Sequence, residues 1–504
     1  MKKKTKQKTE FGDWQTPIEL ARRACFLISR KGLRPASILE PTCGCGAFLI
    51  AALDLFLNIK QTVGIDINEA YLKIAKESIG KIDKTTNVQL ITEDFFKVNW
   101  EKIISSLPEP ILLIGNPPWV TNTELMTIGG SNLPKKNNFQ NHRGIDAIMG
   151  KSNFDISEWM LNQMLERIKN RNATMAMLCK TTVARKVLAH AWRNNYLLKS
   201  ADIYKIDALK HFGASVDACL FVISTAPDSH TADCHVYNSM EQKTPMATVG
   251  LRKKRLVSNV EEFEKNKHLI NEEKGKYNWR SGVKHDCSRV MELRKENGLY
   301  RNGLGELIEL EEDFLYPMLK SSDLANGPVF NFTKVMLVTQ QAVGQSTNWI
   351  KKAAPKTWRY LNDHAELLNS RASSIYRNRP RFSIFGVGEY SFTPWKVGIS
   401  GFYKNFNFRT VGPVENKPVV LDDTCYFIGC DSEEDADFLT KLLNSKRTKN
   451  FLSTFIFWDA KRPITMDLLD LLDIDMLAKE LGQIIEPNKY YRSNNNFVQP
   501  MLFD

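Results

Sequence analysis

The sequence predicts an α/β fold: an open, mostly parallel sheet with helices on both faces in the first half of the chain, and a mixed α/β second half. Three observations lead there. Short apolar runs recur at Ser37-Ile38-Leu39-Glu40, Thr62-Val63-Gly64-Ile65-Asp66, Val88-Gln89-Leu90-Ile91-Thr92 and Ile111-Leu112-Leu113-Ile114-Gly115, as expected of strands buried on both faces. Helix-like stretches flank them, among them Ile18 to Ala24, Ala47 to Leu53 and Asp155 to Ile168. Each run ends in, or leads into, a polar residue, so functional side chains collect at the carboxyl edge, where open α/β sheets bind ligands.

The first run, ending in Glu40, enters Pro41-Thr42-Cys43-Gly44-Cys45-Gly46 and then a helix. Gly44 and Gly46 allow positive φ and close approach of the backbone to a ligand; a lone pair of glycines also serves simply to close a turn. The second run ends in Asp66, 26 residues after Glu40, where an acid holds a ribose diol. The third leads into Glu93-Asp94-Phe95-Phe96. There Asp94 can hydrogen-bond an adenine edge, with capping of the next segment as the structural alternative.

The fourth run delivers Asn116-Pro117-Pro118-Trp119. Prolines fix φ, so the Asn116 side-chain oxygen and the Pro117 carbonyl are two acceptors set beside an aromatic face. That suits a planar base with an exocyclic amino group; the structural alternative is an ordinary strand-ending turn, since Pro-Pro beside an aromatic is common in loops. Ala173 to Cys179 and Ala218 to Ile223 read as further strands, the latter preceded by Asp207-Ala208-Leu209-Lys210-His211-Phe212-Gly213.

Together these motifs resemble the S-adenosylmethionine-dependent DNA adenine-N6 methyltransferases of bacterial type II restriction-modification systems, in the gamma motif order. The resemblance implies a Rossmann-like class I methyltransferase domain followed by a mixed α/β target-recognition domain. It assigns Asn116, Pro117, Pro118 and Trp119 to catalysis, with Phe212 as the aromatic that sandwiches an extruded adenine against Trp119. Cofactor contacts fall on Thr16 and Pro17, within Trp14-Gln15-Thr16-Pro17, and on Glu40, Pro41, Cys43, Gly44 and Gly46. They continue at Asp66, Ile67, Asp94 and Phe95, and Phe154 or Asp155 is expected beside the cofactor adenine. Cysteines 43 and 45 replace the small residues often seen in the first cofactor motif. The implied partners are double-stranded DNA, whose target base flips out, and a separately encoded restriction endonuclease.

Composition is compatible with that partner. Lys and Arg number 69 against 57 Asp and Glu, a formal charge of +12, which favours attraction to phosphate. The opening Met1-Lys2-Lys3-Lys4-Thr5-Lys6-Gln7-Lys8 is a basic tail without the apolar core of a secretory signal. No apolar stretch approaches the roughly 20 residues that span a bilayer. Nine cysteines, scattered and odd in number, fit reduced thiols in a bacterial cytoplasm. No second Cys or His pair accompanies Cys43 and Cys45, so no metal is expected.

The 504 residues suit two domains, with catalysis at 1–245 and DNA recognition at 246–504; a monomer is expected. The boundary follows the charged stretch Thr225 to Lys274, where the βα rhythm lapses. Val120 to Ser152 reads as a polar loop that orders over DNA. In the second half, cations and aromatics interleave at Tyr277 to Asp286, Lys356 to Tyr360 and Tyr376 to Phe382, either as a DNA surface or as solvated cations over apolar stems. Cytosine-N4, RNA adenine and protein glutamine are alternative amino acceptors, and a non-catalytic DNA-binding module is the alternative of another class.

Overall fold

The computed structural model describes residues 15–82, 87–120, 155–272, 277–327, 329, 334–459 and 462–483. The basic tail, Trp14, the loop at 121–152 and Phe154 lie outside them. The chain forms two compact units, Met1–Val260 and Glu261–Asp504.

The strands of the first unit are β1 (Ser37–Glu40), β2 (Gln61–Asp66), β3 (Asn87–Thr92), β4 (Ile111–Gly115) and β5 (Ala173–Lys180), then β6 (Leu198–Ile206), β7 (Ala218–Thr225), β8 (Asp233–Tyr237), β9 (Ala247–Arg252) and β10 (Arg255–Val257). They form one sheet in the order β10-β9-β8-β6-β7-β5-β4-β1-β2-β3. Strands β3, β2, β1, β4 and β5 pair in parallel, and β6 pairs in parallel with β8; β7 and β9 run against the others. From β1 the chain works outwards to β3, then returns to start β4 on the other side of β1. Such a reversal opens a crevice at the carboxyl ends of the two strands.

Burial explains the order. Strands β1 and β4 are buried along their whole length, as central parallel strands must be, whereas β3, at the edge, has exposed positions. On one face Ile38, Leu112, Ile114, Ala176 and Leu178 join a core with helix α1 (Ile18–Arg30) and helix α2 (Ala47–Leu55). Helix α1 turns Leu20, Ala21, Ala24, Cys25, Leu27 and Ile28 inwards, the spacing of one helical stripe. The neighbouring Leu39, Leu113, Met175 and Met177 are equally buried because side chains alternate across a strand. Helix α3 (Glu69–Ile79) follows β2, and its first turn is capped by the Asn68 side chain, which accepts from Ala70 N–H at 3.0 Å.

The sequence places a domain boundary near residue 245, but the first sheet continues past it. Strand β9 pairs with β8, and β10 folds back beside β9 with Leu256 opposite Leu251. A hairpin added to a sheet edge breaks the βα rhythm without leaving the domain, which carries the first unit to Val260.

The second unit is mixed α/β. A four-stranded sheet is ordered β11 (Arg280–Ser281), β20 (Cys425–Cys430), β17 (Trp395–Ser400), β18 (Arg409–Val411). A six-stranded one is ordered β14 (Leu307–Ile308), β13 (Leu299–Arg301), β12 (Glu292–Glu296), β16 (Lys334–Leu337), β15 (Leu315–Leu319), β19 (Val420–Leu421). The interleaved aromatics mostly turn inwards: Tyr277, Trp279, Tyr360 and Phe382 are core residues, while Arg359, Arg377, Arg379 and Arg381 stay exposed. Among the described residues no helix is long and apolar enough to cross a membrane.

Gly282 joins the two sheets' strands. Its N–H donates to the Cys425 carbonyl at 3.0 Å, the next N–H, of Val283, donates to the Leu421 carbonyl at 2.7 Å, and a Cβ on Gly282 would collide with the Leu421 and Asp422 carbonyl oxygens. Backbone cannot rotate aside as a side-chain end can. Gly282→Ala is therefore expected to destabilise the second unit by about 3 kcal/mol, the upper end of overpacking costs. Differential scanning calorimetry would show a lowered midpoint for one transition; an unchanged melting profile would contradict this packing.

Candidate active site

The crevice between β1 and β4 is where the sequence motifs meet. Glu40 ends β1 and is 2% exposed; its Oε2 accepts from Leu49 N–H at 3.2 Å, in the first turn of α2. Gly115 ends β4, and a Cβ there would lie 3.4 Å from Glu40 Cγ, so the first motif and the Asn116 tetrapeptide share one wall. Asp66 ends β2. Its Oδ2 accepts from Gly44 N–H and its Oδ1 from Asn68 N–H, each at 2.8 Å.

The glycine turn is held by its own neighbours. Gly44 (φ +49°) and Gly46 (φ +79°) occupy the left-handed region, which a Cβ disfavours. Cys43 N–H donates to the Ile65 carbonyl at 2.8 Å and Gly46 N–H to the Cys43 carbonyl at 2.7 Å. Cys45 N–H donates to Gln15 Oε1 at 3.1 Å. A Cβ on Gly44 would come within 2.6 Å of that same Gln15 oxygen. Successive N–H groups that would otherwise form an anion nest thus already have acceptors, and Glu40 takes the N–H at the helix start where a phosphate would sit. Two carboxylates line the crevice instead.

This has an electrostatic consequence. Burial, with Asp66 nearby adding to it, drives the Glu40 carboxyl well above the ordinary carboxylate range, against the lowering by the Leu49 N–H. Thr42 Oγ1 is buried without a hydrogen-bond partner among the described residues. The crevice is therefore suited to a ligand that brings a cation and hydroxyl donors.

The other sequence-derived residues distribute around it. Thr16 and Pro17 stand half-buried at the start of α1, next to Gln15 on the glycine turn. Pro41 and Cys43 are buried, and Ile67 is 51% exposed on the rim beyond Asp66. Asp94 follows β3, and its Oδ1 accepts from Phe96 N–H at 3.0 Å, so it caps the turn after that strand. Phe95 is packed inside an aromatic group with Trp100 and Trp159, at 4.7 and 6.1 Å between ring centroids. Asp155 plays a structural part, capping helix α5 (Ile156–Ile168) through Ser157 N–H at 3.0 Å and pairing with Lys180 at 2.7 Å.

At the end of β4, Asn116 Oδ1 is buried and Pro117 is buried beside it, with Pro118 half-buried. The Trp119 indole N–H donates to the Leu178 carbonyl at 3.2 Å, which ties the tetrapeptide to β5. Phe212 ends helix α7 (Ala208–Phe212), counting α4 (Trp100–Ser105) and α6 (Thr181–Arg193) before it. Its ring meets Trp119 at 5.1 Å between centroids and 70° between planes, edge to face. A base stacked on both rings needs them nearly parallel and about 7–8 Å apart, two layers of carbon contact, so the rings must part to admit one. Gln15 is the residue that the motif reading passed over, although it lies inside Trp14-Gln15-Thr16-Pro17. Among the described residues no cluster of His, Cys, Asp and Glu could hold a metal ion.

No family model matches the chain. It is 45% identical over 475 residues to the Type II methyltransferase M.NspV of Nostoc sp. (strain ATCC 29411 / PCC 7524), covering 94% of this chain and 98% of that protein. Among solved structures it is similar to the Type IIL restriction-modification enzyme MmeI in complex with DNA, at 12% identity and a TM-score of 0.47, over 84% of this chain and 60% of that one. A candidate class I S-adenosylmethionine-dependent methyltransferase from Listeria monocytogenes matches at 13% identity and a TM-score of 0.33, over 46% of this chain and 68% of that one. On the extent and identity of the match to M.NspV, the chain belongs to the Type II methyltransferases.

Proposed function

We propose that this chain is a site-specific DNA methyltransferase that transfers a methyl group from S-adenosylmethionine to the N6 amino group of an adenine flipped out of a specific double-stranded sequence. In this reading it protects DNA from a separately encoded restriction endonuclease, the first unit carries catalysis, and the second reads the target. The observation that carries the proposal is the acid-lined crevice sharing a wall with Asn116. The exposed arginines of the second unit, the charge of +12 and the kinship with a Type II methyltransferase support DNA as the acceptor.

The residues fit S-adenosylmethionine, which is cationic, carries a ribose diol and has no phosphate. Its α-ammonium group suits the buried Glu40 side of the crevice, the diol suits Asp66, and the engaged N–H groups of the glycine turn disfavour a phosphorylated nucleotide. Thr42 Oγ1 is a further hydroxyl for the amino-acid end. When bound, the cofactor supplies an already electrophilic sulfonium methyl group.

What the protein adds is position and polarity. Adenine's amino nitrogen is a poor nucleophile because its lone pair is delocalised into the ring. Asn116 Oδ1 and the Pro117 carbonyl accept its two hydrogens, which favours a tetrahedral nitrogen and stabilises the positive charge developing there. Trp119, fixed through Leu178, and Phe212 hold the ring plane once they separate, which restricts the base to near-attack orientations. Stacking offsets the few kcal/mol that flipping costs. Neither a cysteine nucleophile nor a metal is required by this chemistry.

Asn116→Ala removes one preset acceptor and is expected to lower the methyl-transfer rate about 10²–10³-fold, with cofactor affinity changed only a few-fold. Transfer of tritiated methyl to duplex DNA and calorimetric cofactor titration measure the two separately. Activity within tenfold of wild type would remove the proposed role.

Glu40→Gln tests the acid crevice through pH. A carboxyl whose folded pKa is raised contributes stability that is full below its unfolded value, near 4.5, and lost as pH rises through the folded value. Ligand-free Glu40→Gln is therefore expected to gain on wild type in melting midpoint as pH rises above about 4.5, while binding S-adenosylmethionine more weakly. A pH-independent difference between the two proteins would contradict the electrostatic assignment.

A further inference from the structure

Away from Asn116 and Trp119, the same edge of the sheet carries a cleft. Strands β6 and β8 run parallel and in the direction of β5, so their carboxyl ends lie on the edge that carries Glu40 and Asn116. A cleft of about 400 Å³ opens there, lined by Arg23 of α1, Lys205 at the end of β6, Lys210 and His211 of α7, and Asn238 and Ser239 after β8, with Asp207 as its carboxylate. His211 immediately precedes Phe212, so one short helix borders both this cleft and the Trp119–Phe212 ring contact.

The charges of the cleft are unevenly matched. Arg23 is bound to Glu241 at 2.6 Å, and Asp207 accepts from the Lys210 backbone N–H at 2.9 Å. The side chains of Lys205 and Lys210 are exposed and have no carboxylate partner among the described residues, unlike Lys31, Lys180 and Lys186, which pair with Asp202, Asp155 and Glu158. Set against Asp207, the two lysines leave a surplus of one positive charge. Burial, then the Arg23 and Lys210 charges, hold His211 below its ordinary range, with Asp207 opposing. The imidazole is therefore harder to protonate than a free one, and Asn238 and Ser239 add further polar contacts.

We infer that this cleft binds a backbone phosphodiester of the DNA strand carrying the target base, with Lys205 and Lys210 on the phosphate. The inference rests on the proposed DNA acceptor and adds to it a contact set for the strand beside the flipped nucleotide. A phosphodiester carries a single negative charge, which matches the surplus, and a cleft of this size accommodates phosphate with an adjoining sugar. Phosphate contacts of this kind fix the register of a strand without reading its sequence.

The test is duplex binding by the full-length protein across salt concentrations, followed by fluorescence anisotropy, on a methylated-site duplex and a scrambled one. One phosphate neutralised contributes about 0.9 to the slope of log affinity against log salt. Lys205→Ala/Lys210→Ala should therefore lower that slope by about 0.9 and weaken both duplexes alike, about eightfold at 0.1 M salt. Lys205→Arg/Lys210→Arg should keep the slope. Lys60→Ala, which removes an exposed cation just before β2 at the opposite edge of the sheet, should leave it unchanged.

An unaltered slope in the double alanine variant, or an equal loss in Lys60→Ala, would overturn the inference. So would a rise in melting midpoint with inorganic phosphate that the double variant abolishes while its DNA slope stays that of wild type, because the cleft would then serve a free anion. A wild-type protein that neither binds nor methylates DNA would instead sink the functional proposal, and the phosphodiester site with it.

Discussion

Two carboxylates at the carboxyl ends of adjacent strands, Glu40 buried and Asp66 half-buried, hold one glycine turn and determine what the active edge can accept. Asp66 takes the Gly44 N–H and Glu40 takes the Leu49 N–H, the positions at which a dinucleotide-binding sheet of the same topology would present donors to a pyrophosphate. The same backbone shape thereby presents carboxylates in place of free N–H donors. Burying a charged Glu40 is unfavourable, which is why its carboxyl is driven up, and the proposed cationic cofactor would offset that cost. Placement at the reversal of strand order brings Glu40 against Gly115, the residue before Asn116.

The Asn116 side of the edge is organised differently. Asn116 and Pro117 lie at the end of a wholly buried strand, where little can move, and Trp119 is anchored to the Leu178 carbonyl. Phe212 instead sits on a short helix ending in Gly213 at φ +68°. Asn116 and Pro117 are thus placed by the sheet, while Phe212 is placed by a short helix with a left-handed glycine at its end.

Much of this was legible in the sequence, for a physical reason. Strands buried on both faces are unmistakably apolar, so β1 and β4 stand out, and the acid or amide at or just past each strand end, Glu40, Asp66 and Asn116, falls at the carboxyl edge; β3 is a half-exposed edge strand whose Asp94 caps the turn after it. What local pattern cannot reveal is who partners whom across the chain. Gln15 on the glycine turn and the Leu178 carbonyl on Trp119 are contacts between segments distant in sequence. The hairpin β9–β10 lacks a βα rhythm, and only its pairing to β8 shows that the first sheet extends beyond residue 245. In the second unit the aromatics beside the cations gave no sign of direction, and the fold turns most of them into the core. Asp155 illustrates the same ambiguity, since capping and ligand contact use the same residue type.

The most direct measurement is to express the protein in a host whose DNA carries no methylation and to sequence the genome by a single-molecule method that detects modified bases. The proposed chemistry predicts N6-methyladenine at one recurring sequence motif. Unmodified DNA from cells containing folded protein that binds S-adenosylmethionine would contradict it.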